Sequence, residues 1–498
     1  MAGLATLDVF IDAPAAFAPR AAWVLGTLLA PLGRRVRLVR ERDAAGGCAL
    51  AYAQAPVAGV PTIPCDAGAM DLFRRRRPLA GGAFTSLKTP AGDAVGAFPA
   101  AAGEAFCLPF DLVASAFALL ACWDEHTSSE RDRFGRLPYS AGVFAANPAL
   151  KIEEPAVDRY AALLRALLAP RLTQLGLEGL PPSGWLWSDG PASSGGFAVA
   201  LTHDVDTVWR WTPRGFAATG VRSARALRRG EGGAVRRELV DLWEWATVHL
   251  PRRSDPYWTF PYLLAGEDQR GARSTFYVMA SHAHRLDGGQ PQDYRKHIPA
   301  ALDMLRRGRR EIGLHGNDAD RASVSALKLD RDDLARRSDA DISGIRYHYL
   351  RCLYHETLRI VEDAGFTYDT SLAFAEHEGL RCGVSFPFHP YRLDEERPLR
   401  LLELPLAIMD TSLMGQRYRA LDAAGAERAS RDLLSRVRDG GGGVAILWHN
   451  NRFDRRSAKG YDDVYWRLVE WAQAEGGLVT SARDIVRRWQ EGTGEAVT

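Results

Sequence analysis

Residues 198–209 read AVALTHDVDTVW, and the change of character within this stretch decides the fold. Phe197 to Leu201 form an apolar run of the kind buried on both faces of a parallel sheet. The run breaks off into Thr202, His203, Asp204, Val205 and Asp206, so two carboxylates and an imidazole crowd the end of a buried strand. Asp204 and Asp206 are one residue apart, and on an extended chain both side chains point to the same side. Carboxylates this close repel unless a positive charge lies between them or one holds a proton. An isolated Asp-x-Asp can also cap a helix or tighten a turn. What favours chemistry here is that the pattern recurs.

From residue 197 onward, short apolar strands alternate with helix-length segments. Strands are predicted at Phe197–Thr202, Ser274–Met279, Glu311–Leu314, Gly344–Tyr347, Leu401–Leu404 and Val444–Leu447, with helices near Tyr294–Arg307 and Arg351–Ala364. This alternation argues for βα units and a parallel sheet, open or closed into a barrel. Leu201 leads into the Asp-Val-Asp segment, Leu314 into His315, Trp448 into His449, and Ile345 into Arg346, Tyr347, His348 and Tyr349. In α/β barrels active sites gather at the carboxyl ends of the strands, where the loops converge. A divalent metal would relieve the repulsion. One Asp oxygen with imidazole nitrogens and an open water position suits zinc, with Co, Ni, Mn or Fe as alternatives. Such an ion lowers the pKa of its water, and a second carboxylate can accept the proton.

The stretches LTHDVD, STFYVMA, EIGLHG, GIRYHYLR, GFTYDTSL and ILWHNN follow one another in this order. On these motifs, residues 197–490 resemble the polysaccharide deacetylases, metal-dependent enzymes that remove N- or O-acetyl groups from chitin, peptidoglycan and related glycans. The chain is most similar to the bacterial subgroup with an Asp-Val-Asp first motif. In that subgroup the N-terminal region carries a segment like LPFDLVASAFALLACWDEH followed by RDRFGRL. The resemblance implies an α/β fold: an irregular (β/α)7-8 barrel preceded by a smaller mixed α/β domain. It also implies Asp204 as catalytic base, Asp206 and His315 as metal ligands, and Arg346 as the residue orienting the base. Tyr349 would offer a backbone N–H to an oxyanion hole, and His449 would protonate the leaving group.

One departure from the family pattern stands out. A second metal histidine is expected four residues after the first, and Ala319 occupies that position. His348 stands where many relatives have proline and is the leading replacement. Asp318 or Asp320 is an alternative, as is a site with no third protein ligand. His203 ranks last, because neighbours on a strand face opposite ways. Trp448, Asn450 and Asn451 are substrate-binding candidates, since sugars call for aromatic faces and amide groups. His282 and His284 read as a surface loop rather than a metal pair. Glu403 is a buried acid that could orient a histidine or Arg346, or form a plain ion pair.

The remainder of the chain sets limits. At 498 residues two to three domains are expected. The segment GLPPSGWLWSDGPASSGG (179–196) reads as a boundary, dividing a 1–190 mixed α/β domain from a 191–498 barrel. The Arg- and Trp-rich stretch near 215–262 reads as a helical insertion. A net charge of +2 favours neither nucleic acid nor an acidic membrane. The six cysteines form no Cys-x-x-Cys pair, which fits a reducing cytoplasm. No signal peptide or membrane-spanning segment is expected. The expected reaction is hydrolysis of an acetyl group on a sugar or cell-surface glycan precursor. The alternatives are a carbon–nitrogen hydrolase for a non-sugar amide and a non-catalytic glycan-binding relative that has lost its metal.

Overall fold

The computed structural model describes residues 5–494, apart from 91, 101–105, 189–195, 212, 231, 248–254, 281–290, 318–320 and 455–459. Its larger sheet begins with β1 (Ala198–Val205), eight consecutive residues that are all buried. The other strands are β2 (Thr275–Val278), β3 (Glu311–Gly316), β4 (Gly344–Tyr347), β5 (Tyr368–Asp369), β6 (Leu402–Glu403), β7 (Leu406–Met409) and β8 (Gly443–Leu447). Hydrogen-bonded neighbours run β6-β5-β4-β3-β2-β1-β8-β7, and every pairing is parallel. A short strand, Leu478–Thr480, pairs with the first half of β1.

The two ends of this order, β6 and β7, are separated in sequence by Leu404 and Pro405 alone. Proline has no N–H to give to a ladder, and here it marks the switch of partner. Leu404 N–H donates to the Asp369 carbonyl, whereas the Pro405 carbonyl accepts from Ala445. One interrupted strand thus bonds both edges, and the sheet curls back on itself as an α/β barrel would. The sequence placed a single strand at Leu401–Leu404 and missed β7, because the two apolar pieces read as one.

Inside the curl, glycines leave room for large rings. A Cβ on Gly313 would lie 2.5 Å from the Tyr277 ring, and one on Gly344 would lie 2.0 Å from the Tyr368 ring. The Arg- and Trp-rich segment forms two helices, Pro213–Arg228 and Gly232–Thr247, directly after β1.

The N-terminal region carries a second, four-stranded parallel sheet, in the order Arg34–Val39, Ala5–Asp12, Leu50–Ala53, Thr62–Pro64. Its apolar side chains share one continuous core with those of the barrel. Trp23 Nε1 donates to the His389 carbonyl at 2.8 Å, and Glu125 pairs with Arg381. The boundary expected near residue 190 lies outside the described residues. Two helices, Leu112–Leu120 and Trp123–Thr127, are separated by a break at Cys122, where φ is +44°. Among the described residues no helix is long and apolar enough to cross a membrane.

Asp111 caps the first of these helices. Its Oδ1 accepts from Ala114 N–H at 2.8 Å, and its Oδ2 accepts from Asp66 N–H and the Tyr52 hydroxyl. Burial pushes this carboxyl up to about 7, although those donors oppose the shift. The unfolded value is about 3.9. Folding therefore takes up a proton between roughly pH 4 and 7, and the group's stabilising contribution is lost as pH rises through about 7. Asp111→Ala, which strips both the cap and two further donors of a partner, is expected to cost about 2–4 kcal/mol in urea unfolding. Asp111→Asn should instead flatten the decline in stability across that pH window. An unchanged slope would contradict the assignment.

Candidate metal centre

The carboxyl ends of β1, β3, β4, β7 and β8 converge. Asp206, just past β1, His315 on β3 and His348, immediately after β4, offer ligand atoms that all lie within 4.8 Å of one another. His315 Nε2 is 3.1 Å from Asp206 Oδ1 and 3.8 Å from Asp204 Oδ2. His348 Nε2 is 3.7 Å from Asp206 Oδ2, and His449 Nε2 approaches the same oxygen at 3.5 Å. Asp204 and Asp206 do face the same side, as their spacing implies. His203 faces the other way: its Nδ1–H donates to the Trp448 carbonyl at 2.7 Å, and Nε2 lies beside Glu267 and Tyr465.

The residues fit a divalent ion. His315 Nδ1 must donate to the Arg346 carbonyl, 2.9 Å away, so the neutral ring presents a lone pair at Nε2. That nitrogen and Asp206 Oδ1 are buried, and neither has a hydrogen bond of acceptable geometry despite their 3.1 Å separation. Two acceptors facing each other in a buried site repel unless a cation joins them. The electrostatics agree. Burial disfavours charge on His315, yet Asp204 and Asp206 raise its pKa. Burial likewise opposes ionisation of Asp206, yet His348, His315 and His449 hold it far below the usual carboxylate range. One carboxylate and two imidazoles form the donor set of a hydrolytic zinc site.

Arg346 is fully buried and organises the other carboxylate. Its Nη1 donates to Asp204 Oδ1 at 3.1 Å and to Thr202 Oγ1 at 2.6 Å, and Nε donates to the Thr370 carbonyl. The Tyr277 ring, seated where Gly313 has no side chain, lies 4.6 Å from its guanidinium carbon. Among the described residues, Glu403 pairs with no histidine, its Oε1 accepting from Leu372 N–H. Burial and the neighbouring Asp369 push its carboxyl well above the usual range. Asp369 in turn accepts from Ser371, whose hydroxyl receives Tyr347 N–H at 2.9 Å.

The sequence reading missed Asp410, the residue that holds His449. Asp410 is fully buried at the end of β7. Its Oδ1 lies 2.7 Å from His449 Nδ1, and its Oδ2 accepts from His449 N–H at 2.7 Å. Burial works against charge on His449, but Asp410, then Asp206 and Asp204, raise its pKa to about 9. The available signal was the quartet Leu406–Met409 running into an acid, the same pattern as the other strand ends.

Two substrate expectations require correction. Trp448 has no exposed surface, and its ring packs 5.8 Å from Tyr465, so it presents no face to a sugar. Asn450 is also fully buried, with Nδ2 donating to the carbonyls of Thr207 and Tyr257. Asn451 is half-buried. Tyr349 adopts the left-handed conformation (φ +58°) and is 37% exposed, its ring stacked 3.8 Å from that of His348. His282, His284, Asp318, Ala319 and Asp320 lie outside the described residues.

Residues 11–173, less than half of the chain, match DUF7033, a family of unknown function. No curated protein sequence matches the chain. Solved structures that align with it include a Mycobacterium smegmatis protein designated a polysaccharide deacetylase, 19% identical, with a TM-score of 0.40 over 62% of this chain and 93% of that one. The Puue allantoinase aligns at 13% identity and a TM-score of 0.40, over 62% of this chain and 96% of its own. A CE4 family pseudoenzyme from Bacillus anthracis aligns at 8% identity and a TM-score of 0.30, over 58% and 65%. Likenesses this distant carry no functional weight, and the chemistry rests on the residues themselves.

Proposed function

We propose that the chain is a metal-dependent deacetylase that hydrolyses an acetyl amide or ester on a sugar or glycan precursor. The observation that carries this reading is the convergence of Asp206, His315 and His348 within 4.8 Å, flanked by Asp204 on one side and the Asp410–His449 pair on the other. Asp206, His315 and His348 would hold a divalent ion, with zinc the best fit to the donor set. When bound, such an ion supplies Lewis acidity towards an acetyl carbonyl and makes a water molecule a stronger acid. His348 takes the place of the histidine absent at position 319, which favours a catalytic protein over a binding relative that has lost its metal.

The remaining groups divide the proton work. Asp204, tied to Arg346 through one oxygen, keeps the other for the proton of the attacking water and acts as general base. His449, kept protonated by Asp410, donates to the departing nitrogen or oxygen. Its Nδ1–H is engaged by Asp410, so Nε2 carries the transferable proton. Tyr349 N–H is assigned to the developing oxyanion. Cleavage of an acetamide and of an acetate ester use the same groups, so both bonds are within this site's reach. Asn451 is the one substrate-facing candidate retained from the ILWHNN motif.

The test is acetate release from N-acetylglucosamine oligomers and from a chromogenic acetate ester by the full-length, zinc-loaded protein. Asp204→Asn is expected to lower kcat by about 10²–10⁴ with zinc content retained. His348→Ala should lose both zinc and activity. Asp410→Asn should cost about 10–10³ in kcat with zinc retained, because His449 loses the partner that orients it and keeps it charged. Acetate release that survives complete chelation of the metal, or is untouched in Asp204→Asn, would contradict the proposal.

A further inference from the structure

The turn that presents His348 is held from outside the barrel. Tyr349 and Leu350 both have positive φ, +58° and +53°, an unusual pair for residues with a Cβ. Strained backbone of this kind persists only where the surroundings over-determine it. The surroundings here come from the N-terminal region, in the turn Asp132–Arg136. Arg136 is 7% exposed, and its Nη1 donates to the Tyr349 carbonyl at 2.5 Å. In the opposite direction, Arg351 Nε donates to the Phe134 carbonyl at 2.9 Å. The Phe134 ring stacks on that of Tyr349 with centroids 4.6 Å apart and planes at 21°, and Tyr349 stacks in turn on His348.

The Asp132–Arg136 turn is itself rigid. Asp132 Oδ1 accepts from the Phe134 and Arg136 N–H groups, and its Oδ2 receives the Arg136 guanidinium through both Nε and Nη2, at 2.9 and 2.6 Å. One planar guanidinium therefore closes its own turn and reaches across to the strained carbonyl, a geometry that an ammonium cannot reproduce. Arg136 and Phe134 thus reach His348 through direct contacts with Tyr349.

We infer that Arg136 and Phe134 are positioning residues of the metal centre, so that the region matching a family of unknown function completes the barrel's site by fixing the orientation of His348. The inference rests on the metal-centre reading above. It assigns the 131–137 segment a role in tuning the ligand, in the manner of groups that orient metal ligands from behind.

The test uses the full-length protein, with zinc affinity measured by competition against a chromophoric chelator and the cobalt(II) absorption spectrum as a report on ligand geometry. Arg136→Met is expected to weaken zinc binding by about 10- to 100-fold and to change the cobalt spectrum. The unfolding midpoint of the metal-free protein should stay within a few degrees of wild type. Arg136→Lys should fall between wild type and Arg136→Met. Phe134→Ala, which spares the guanidinium, should shift the cobalt spectrum in the same direction, and it carries the test if Arg136→Met does not fold. Folded variants with wild-type zinc affinity and spectrum would overturn the inference while leaving the metal centre intact. A wild-type protein that takes up no zinc would overturn the metal centre itself, and this inference with it.

Discussion

The site depends on one electrostatic conflict. Asp204 Oδ2 and Asp206 Oδ1 lie 3.8 and 3.1 Å from His315 Nε2, at the end of a buried strand. Water is largely excluded there, and His315 and Asp204 are 1% and 3% exposed. At such separations like partial charges cost several kcal/mol even at a moderate effective dielectric. Two positive groups resolve the conflict in different ways. Arg346 neutralises Asp204 permanently, fixed by Thr202, Thr370 and the Tyr277 ring. Among the described residues the Asp206 side offers histidines, His315, His348 and His449, and a divalent cation would fit between them.

The division of labour between the two aspartates follows from this asymmetry. In the proposed function, the carboxylate bound to the Arg346 guanidinium through one oxygen keeps the other for a proton. The carboxylate among the imidazoles is the one proposed to hold the metal. Asp410 then does for His449 what the Arg346 carbonyl does for His315, since each holds Nδ1 and commits Nε2 to the shared centre. Five strands and the loops that follow them are needed to assemble this arrangement, and the curl imposed by the Leu404-Pro405 switch brings β7 and its aspartate alongside β8.

Much of this was legible in the sequence because it follows from local alternation. An apolar strand ending in Asp, His or Arg marks its own carboxyl end, and Asp204, Asp206, His315, Arg346, His348 and His449 were picked as candidates that way, residues the fold brings together. Opposed facing of neighbours correctly set His203 aside. What failed depended on burial or on long-range packing. Trp448 and Asn450 follow a strand just as His449 does, but their neighbours Tyr465, Thr207 and Tyr257 cover them. Asp410 was hidden because β7 is four residues long and abuts β6 across a proline. Arg136 lies 213 residues from the carbonyl it holds, a separation that no periodicity reveals.

The N-terminal region and the barrel meet beside the candidate metal centre, through Arg136 and Phe134, and again through Glu125, which pairs with Arg381 and accepts from Tyr354 N–H. The central claim, that Asp206, His315 and His348 form one metal centre, is tested most directly by anomalous scattering at the zinc edge from crystals grown with zinc. The account predicts a peak bonded at about 2.0–2.2 Å to Asp206, His315 Nε2 and His348. A map with no peak there at saturating zinc, or a peak that leaves His348 uncoordinated, would contradict it.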